Sequence, residues 1–555
     1  MPTRPSAMEG ELRRGVASLL VVRASGHLAD GQRRYPRWEL DNAALRSLLD
    51  EGVGGVILLG GSAAELRLRT RQLASWSEQR LFLCADVEEG VGQRFEGASW
   101  LPPPLGVGLI HRHDPHTAIH LAERYGSCTG REARALGLNW VLGPVCDVNN
   151  NPANPVINVR AWGEEPAAVA ELAAAFIRGV QGEGVLACAK HFPGHGDTTE
   201  DSHLDLPVLP HNRDRLEAIE LPPFRRAIAS DVAAVMTAHL LLPELDPERP
   251  ATLSPRVLTR LLRQELGFDG LVVTDALVME AIAARHGAGE AAVLALEAGA
   301  DLVLMPADPW LAMEAILSAV REGRLSQERL WRSVERRERA LERAREDPDP
   351  QGLDPHHPLG PLSNGPARED RALSRELLTL TLERRGGAVR RPREGEEGLA
   401  LLRVDAQLGC PFLPANAPAL ALPRAAGFRP WVLDGQSPLS GPPKEASGEP
   451  PEPPWTRAGW DQGPVLLQVF VRGNPFRGSP SGGEPWAHWI ERLVARGRLV
   501  GLVVYGSPYL WRGLRDLLPA DLPAAWCPGQ MPEAQSLVLS QLGLGQPETA
   551  GGFTD

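Results

Sequence analysis

Lysine is nearly absent from this chain of 555 residues. Of its 58 lysines and arginines, two are lysines, Lys190 and Lys444. With a formal net charge of -12, the chain offers no excess of positive charge. That argues against nucleic acid or an anionic membrane as its main partner. Cysteine is also sparse. Six residues (Cys84, Cys128, Cys146, Cys188, Cys410 and Cys527) are scattered without a C-x-x-C pair, which excludes a ribbon-type zinc site and a thioredoxin-like motif and reads as reduced thiols. No apolar run approaches the roughly 18 residues of a spanning helix. The opening stretch MPTRPSAMEGELRRG has no apolar signal core, so a soluble protein in the cytoplasm is expected.

What the chain does have is a regular alternation. Up to about residue 346, short apolar runs alternate with amphipathic stretches. Strands are predicted at 17–22, 55–59, 81–85, 139–142, 185–189, 233–237, 271–274 and 301–305. Apolar runs of four to six residues without polar alternation suit parallel strands covered on both faces. Eight such strands, each with a helical segment, predict an α/β fold of the (β/α)8 TIM-type barrel kind over residues 1–346. A doubly wound open sheet is the alternative. Residues 347–369, rich in proline and glycine, read as a linker. Residues 370–555 then form a smaller α/β sandwich-like domain. Its strands are predicted at 399–404, 431–433, 465–471 and 499–504, with an irregular loop over 435–464. It has no dense cluster of titratable groups, and structural support or a dimer contact is its expected role.

In a barrel, catalytic groups collect just past the C-terminal ends of the strands. Asp86 follows the third strand. Asp147 and Asn149–Asn151 follow the fourth, with Arg160 further along. Lys190 and His191 close the fifth strand, His239 the sixth and Asp275 the seventh. An Asp after a strand is often only a helix cap, but five consecutive strands ending in polar groups point to one cavity. Asp275 lies among apolar neighbours, and a partly desolvated carboxylate there is suited to attack on an electrophilic carbon. The densest stretch is KHFPGHGDTTEDSH, from Lys190 to His203. Its His191, His195, Asp197, Asp201 and His203 are all possible metal ligands. The stretch explains itself better as acid/base machinery, since a bend can bring Asp201 against His203 and raise the pKa of the ring. Gly194 and Gly196 supply flexible positions.

KHFPGHGDTTEDSH resembles the signature loop of bacterial β-N-acetylglucosaminidases of glycoside hydrolase family three. GVGGVIL, ADVEEGVGQRF, LGPVCDV, MTAHL, GFDGLVVTDALVME and AGADLVLMP extend the likeness in the same order along the barrel. The resemblance implies retaining hydrolysis of terminal, non-reducing β-linked N-acetylglucosamine, as in peptidoglycan recycling. Asp275 would be the nucleophile, and Asp201 with His203 the acid/base dyad. Asp86, Arg94, Arg160, Lys190 and His191 would bind the sugar. No metal or organic cofactor is implied. Three positions depart from the pattern: Glu89, Val91 and Ala276 stand where many members have Gly, Arg and a second Asp. Four other functions remain: a phosphorylase using the same intermediate, a β-glucosidase of the same family, a metal-dependent hydrolase, or a non-catalytic protein that binds the sugar.

Overall fold

The computed structural model describes residues 7–200, 205–345, 365–404, 412–434, 462–472 and 485–545. They form two compact units, Met1–Ser374 and Arg375–Asp555.

The first unit is built on eight strands: β1 Leu20–Ser25, β2 Gly55–Leu59, β3 Phe82–Ala85, β4 Trp140–Val141, β5 Cys188–Phe192, β6 Ala234–Thr237, β7 Leu271–Val273 and β8 Val303–Leu304. They pair in parallel in the orders β4-β3-β2-β1-β8 and β5-β6-β7. Bridges between Trp140 and Leu186, and between Val273 and Leu302, join the two sets into a ring. Val141 N donates to Leu186 O at 2.8 Å and Thr274 N to Leu302 O at 3.1 Å across those seams. The strands are buried, most of them on both faces, which is why most read as apolar runs. Side chains that can accept a backbone N–H start several of the outer helices. Asp41, Ser62, Asp114, Asp308 and Ser326 each cap one, with Pro115 and Pro309 in the first turn of two.

The strand positions differ from the sequence expectation in places. The predicted first strand at 17–22 starts at Leu20 instead, because the helix Ala7–Ala17 runs to the edge of that apolar run. The fifth starts at Cys188 and extends to Phe192, so Lys190 and His191 lie within it. The fourth and eighth are two residues long.

Below the strands, at the end away from their C-terminal edge, Asp301 is wholly buried just before β8. Its Oδ2 accepts from Val272 N at 3.0 Å, and its Oδ1 from Ser333 Oγ at 2.7 Å. Arg263, Arg329 and Arg336 all pair with the same carboxylate. Removing one partner from a buried ion pair costs about 3–5 kcal/mol, because the other charge stays behind. Asp301→Ala is therefore expected to lower stability to urea by about that amount while KM in the folded fraction stays unchanged. Urea unfolding curves alongside steady-state kinetics check this.

The second unit holds a six-stranded sheet in the order β11-β10-β12-β13-β14-β9. Its strands are β9 Glu383–Arg385, β10 Gly398–Val404, β11 Phe428–Asp434, β12 Val465–Val471, β13 Leu499–Gly506 and β14 Ala524–Cys527. All pairs are parallel except β14 with β9. Two strands escaped the sequence reading. β9 is a three-residue charged edge strand, and β14 is four residues long. Of the stretch predicted to be a linker, 365–369 is described, and a helix, Arg368–Thr381, starts within it. Residues 347–364, and 435–461 of the loop predicted to be irregular, lie outside the described residues. No described helix is long and apolar enough to cross a membrane.

Candidate active site

The side chains at the C-terminal ends of β3, β4 and β5 form one connected polar assembly. Lys190, wholly buried in β5, places Nζ 2.8 Å from Asp86 Oδ1 and 2.7 Å from Glu88 Oε1. Arg160, on the turn Asn158–Arg160, grips Glu88 with two parallel hydrogen bonds of 2.8 Å. Arg94 Nε donates to Asp86 O at 3.1 Å. Glu88 thus braces two cations at once. Burial alone would raise its carboxyl, but Arg160 and Lys190 outweigh that and hold it well below the usual carboxylate range. Burial opposes charge on Lys190 and Arg160 too, and their acidic partners raise both above their ordinary values. Positive charge is thereby fixed at the strand ends, in groups able to donate to oxygen acceptors.

A second set of bonds fastens the loop after β5. Asp147 is wholly buried. It accepts from His191 N at 3.1 Å, from the His191 ring Nδ1 at 2.7 Å and from His195 N at 2.7 Å. A carboxylate only accepts, so Nδ1 carries the proton and Nε2 is the second polar atom of the ring. Burial pushes Asp147 up, and the His191 ring and bonds more than reverse it. Asn154 Nδ2 donates to His195 O and Gly196 O, each at 2.9 Å. Asn149 Oδ1 accepts from Asn158 N at 2.9 Å. The loops after β4 and β5 are therefore one bonded piece. Burial lowers His195 to about 4, so its ring is neutral at physiological pH. Its Nδ1 lies 2.8 Å from Thr198 Oγ1, a bond that shapes the loop. Asp197 pairs with Arg215 at 3.2 Å and His211 at 3.1 Å.

Gly196 is not there to lend flexibility, as the sequence suggests. A Cβ on it would fall 1.7 Å from Val148 O, so glycine is required for close backbone approach.

Asp275 follows β7 by two residues and is half-buried. Ala276 N donates to its Oδ1 at 2.7 Å. The next helix, Glu280–His286, starts five residues on with Met279 as its cap residue, so Asp275 is not the cap of that helix. Its charge is felt at His195 across the mouth of the ring. His239, buried after β6, lies with Nε2 3.1 Å from Ala276 O and Nδ1 2.8 Å from Thr252 Oγ1. Because a carbonyl only accepts, His239 donates from Nε2 and ties down the peptide next to Asp275.

Of the residues singled out from sequence, Asp86, Arg94, Arg160, Lys190 and His191 are thus brought together directly or through Glu88 and Asp147. Asp275 stands on the same face of the ring. Asp201 and His203 lie outside the described residues. Sequence reasoning missed Glu88 and Arg23. Glu88 adjoins Glu89 in a loop that reads as solvated charge. Arg23 interrupts the apolar run LVVRAS of β1, a signal that could have been used. Its guanidinium is lowered by burial and lies within electrostatic reach of Glu39, Asp86 and Arg94. It borders a cavity of about 220 Å³ also lined by Trp38, Val278 and Met305.

Comparison with known proteins gives a consistent picture. Residues 12–340 match the model of the glycosyl hydrolase family 3 N terminal domain, and 391–543 that of the bacterial glycosyl hydrolase family 3 C-terminal domain. The beta-hexosaminidase of Stenotrophomonas maltophilia strain K279a is 40% identical over 276 residues, 48% of this chain and 80% of that protein. Beta-hexosaminidase A of Pseudoalteromonas piscicida is 38% identical over 276 residues, 46% of each, so the match spans under half of that relative. Among solved structures, a family 3 beta-N-acetylglucosaminidase from Paenibacillus sp. str. FPU-7 superimposes with a TM-score of 0.74 at 31% identity. That likeness covers 96% of this chain and 97% of the Paenibacillus chain.

Proposed function

The chain belongs to glycosyl hydrolase family 3 and is a glycoside hydrolase, and from that premise we propose that it removes terminal, non-reducing β-linked N-acetylglucosamine with retention of configuration. One observation carries the reading above the others. Lys190 and Arg160, locked by Glu88 beside Asp86, form a rigid donor-rich cradle on the same face of the ring as Asp275. In this mechanism an Asp275 carboxylate oxygen attacks the anomeric carbon while the glycosidic C–O bond breaks. The departing oxygen takes the proton of His203. Water then adds to the anomeric carbon of the glycosyl-enzyme as His203 accepts its proton, and the Asp275 carboxylate is released. Asp201 orients the His203 ring and favours its protonated form. A neutral imidazole also repels an incoming anion less than a second carboxylate would.

The proposed role is peptidoglycan recycling in the cytoplasm. A single experiment tests substrate and reaction together: product analysis with GlcNAc-anhydromuramic acid and chitobiose side by side, with and without phosphate. Faster release of GlcNAc from the anhydromuramic substrate, as the β anomer, is expected. Preference for chitobiose would remove the recycling role, and GlcNAc-1-phosphate in the phosphate arm would replace hydrolysis by phosphorolysis.

A general acid supplies roughly 10²–10⁴-fold, and most where the leaving group is poor. His203→Ala is therefore expected to cut turnover of chitobiose at least ~10²-fold more than that of an activated dinitrophenyl glycoside. Equal losses on both substrates in steady-state assays would remove His203 from the acid role.

A further inference from the structure

Away from the sugar site, the helix Pro115–Ala135 presents Cys128 and Glu132, four residues apart, on one face. Asp370, from the first turn of the helix Arg368–Thr381, reaches the same spot. Cys128 Sγ and one carboxylate oxygen each from Glu132 and Asp370 lie within 4.8 Å of one another, and all three residues are buried. Ser99 holds both Glu132 oxygens, its N at 2.9 Å and its Oγ at 2.7 Å. Arg131 Nη2 lies 2.5 Å from Asp370 Oδ1. The other oxygen, Oδ2, is buried and accepts no hydrogen bond, although Asp370 is only 3% exposed.

A buried carboxylate oxygen with no donor is costly, and here it adjoins two more acidic groups. A cation bound here takes the place of the thiol proton, which passes to solvent, and gives Oδ2 a partner. One thiolate with two carboxylates suits a borderline ion such as Zn²⁺ better than Mg²⁺ or Ca²⁺, which take oxygen ligands alone. Zn–S and Zn–O distances of about 2.3 and 2.1 Å require only modest closing of the present spacing. Ser99 would act as the outer hydrogen-bonding partner that fixes Glu132.

We propose that Cys128, Glu132 and Asp370 form a structural site for a Zn²⁺-type cation within the first unit, tying the first turn of the helix that begins at Arg368 to the helix Pro115–Ala135. The site is separate from the sugar-binding groups, and the proposal does not depend on the substrate.

Co²⁺ titration of the chelator-treated full chain tests it. One equivalent should bind with a near-ultraviolet thiolate-to-Co(II) charge-transfer band, and Zn²⁺ should abolish the band. Cys128→Ser should lose the band, and Asp370→Asn should bind Co²⁺ at least ~10-fold more weakly. Zn²⁺ should raise the Tm of the parent chain but not that of Cys128→Ser. Circular dichroism checks folding, and if Cys128→Ser does not fold, Glu132→Gln takes its place with weaker Co²⁺ binding expected. No charge-transfer band in the parent, an undiminished band in Cys128→Ser, or unchanged affinity in Asp370→Asn or Glu132→Gln would each overturn the site.

Discussion

Asp275→Ala is expected to lower kcat on p-nitrophenyl β-N-acetylglucosaminide by roughly 10⁴–10⁶-fold, the scale on which loss of a covalent nucleophile is felt in other hydrolases. The reason is geometric as well as chemical. Asp275 follows β7, and the adjacent peptide is held by His239 through Ala276 O. The carboxylate is thus presented from a fixed strand end, where positioning is worth several kcal/mol. On the proposed mechanism, alanine removes the attacking oxygen but leaves Lys190, Arg160 and His191 in place, so sugar binding should persist. Isothermal titration with N-acetylglucosamine and steady-state kinetics on the same preparation separate the two effects. Turnover comparable to the parent would remove Asp275 from the nucleophile role. Azide could restore turnover by giving the α-azide, since the cavity left by the carboxylate admits a small anion.

Glu88→Ala is the second large effect. Glu88 is buried and neutralises Lys190 and Arg160 together. Its removal leaves two cations in a dry site with Asp86 as the remaining pairing partner seen for Lys190. A stability loss of about 3–5 kcal/mol is expected from the uncompensated charge. Displacement of the two cations by even 1 Å should lower kcat/KM of the folded fraction by ~10²-fold or more. Glu88→Gln keeps the shape and two polar atoms but not the charge, and should fall between Ala and the parent on both measures. Thermal melts and kcat/KM for the three proteins decide the matter. If Glu88→Gln and Glu88→Ala both match the parent, the brace has no role in holding Lys190 and Arg160.

The contrast between Glu88 and Asp86 shows what was legible in the sequence. Asp86 follows a buried strand, a position whose meaning in a barrel comes from topology. Glu88, two residues on, gains its role from Arg160, seventy-two residues away, and no local pattern announces that pairing. Asn154 is similar: it clamps His195 and Gly196 from another loop. The number of barrel strands was readable because each is a buried apolar run, but their edges were not. Hydrophobicity does not change where the helix Ala7–Ala17 gives way to β1. In the second unit, β9 escaped because an exposed edge strand needs no apolar residues. Asp201 and His203 stand out in the sequence by their place in the signature stretch, and their roles rest on that resemblance.

The shortage of lysine has a practical side. Lys190 is buried between Asp86 and Glu88 and kept charged by them, so it is a poor nucleophile toward amine-selective acylating reagents. Lys444 is the other lysine in the chain. Immobilisation or dye labelling with activated esters would therefore meet very few reactive amines, and the one between Asp86 and Glu88 would be shielded. Coupling at neutral pH should leave the enzyme attached through a small number of points with its turnover intact.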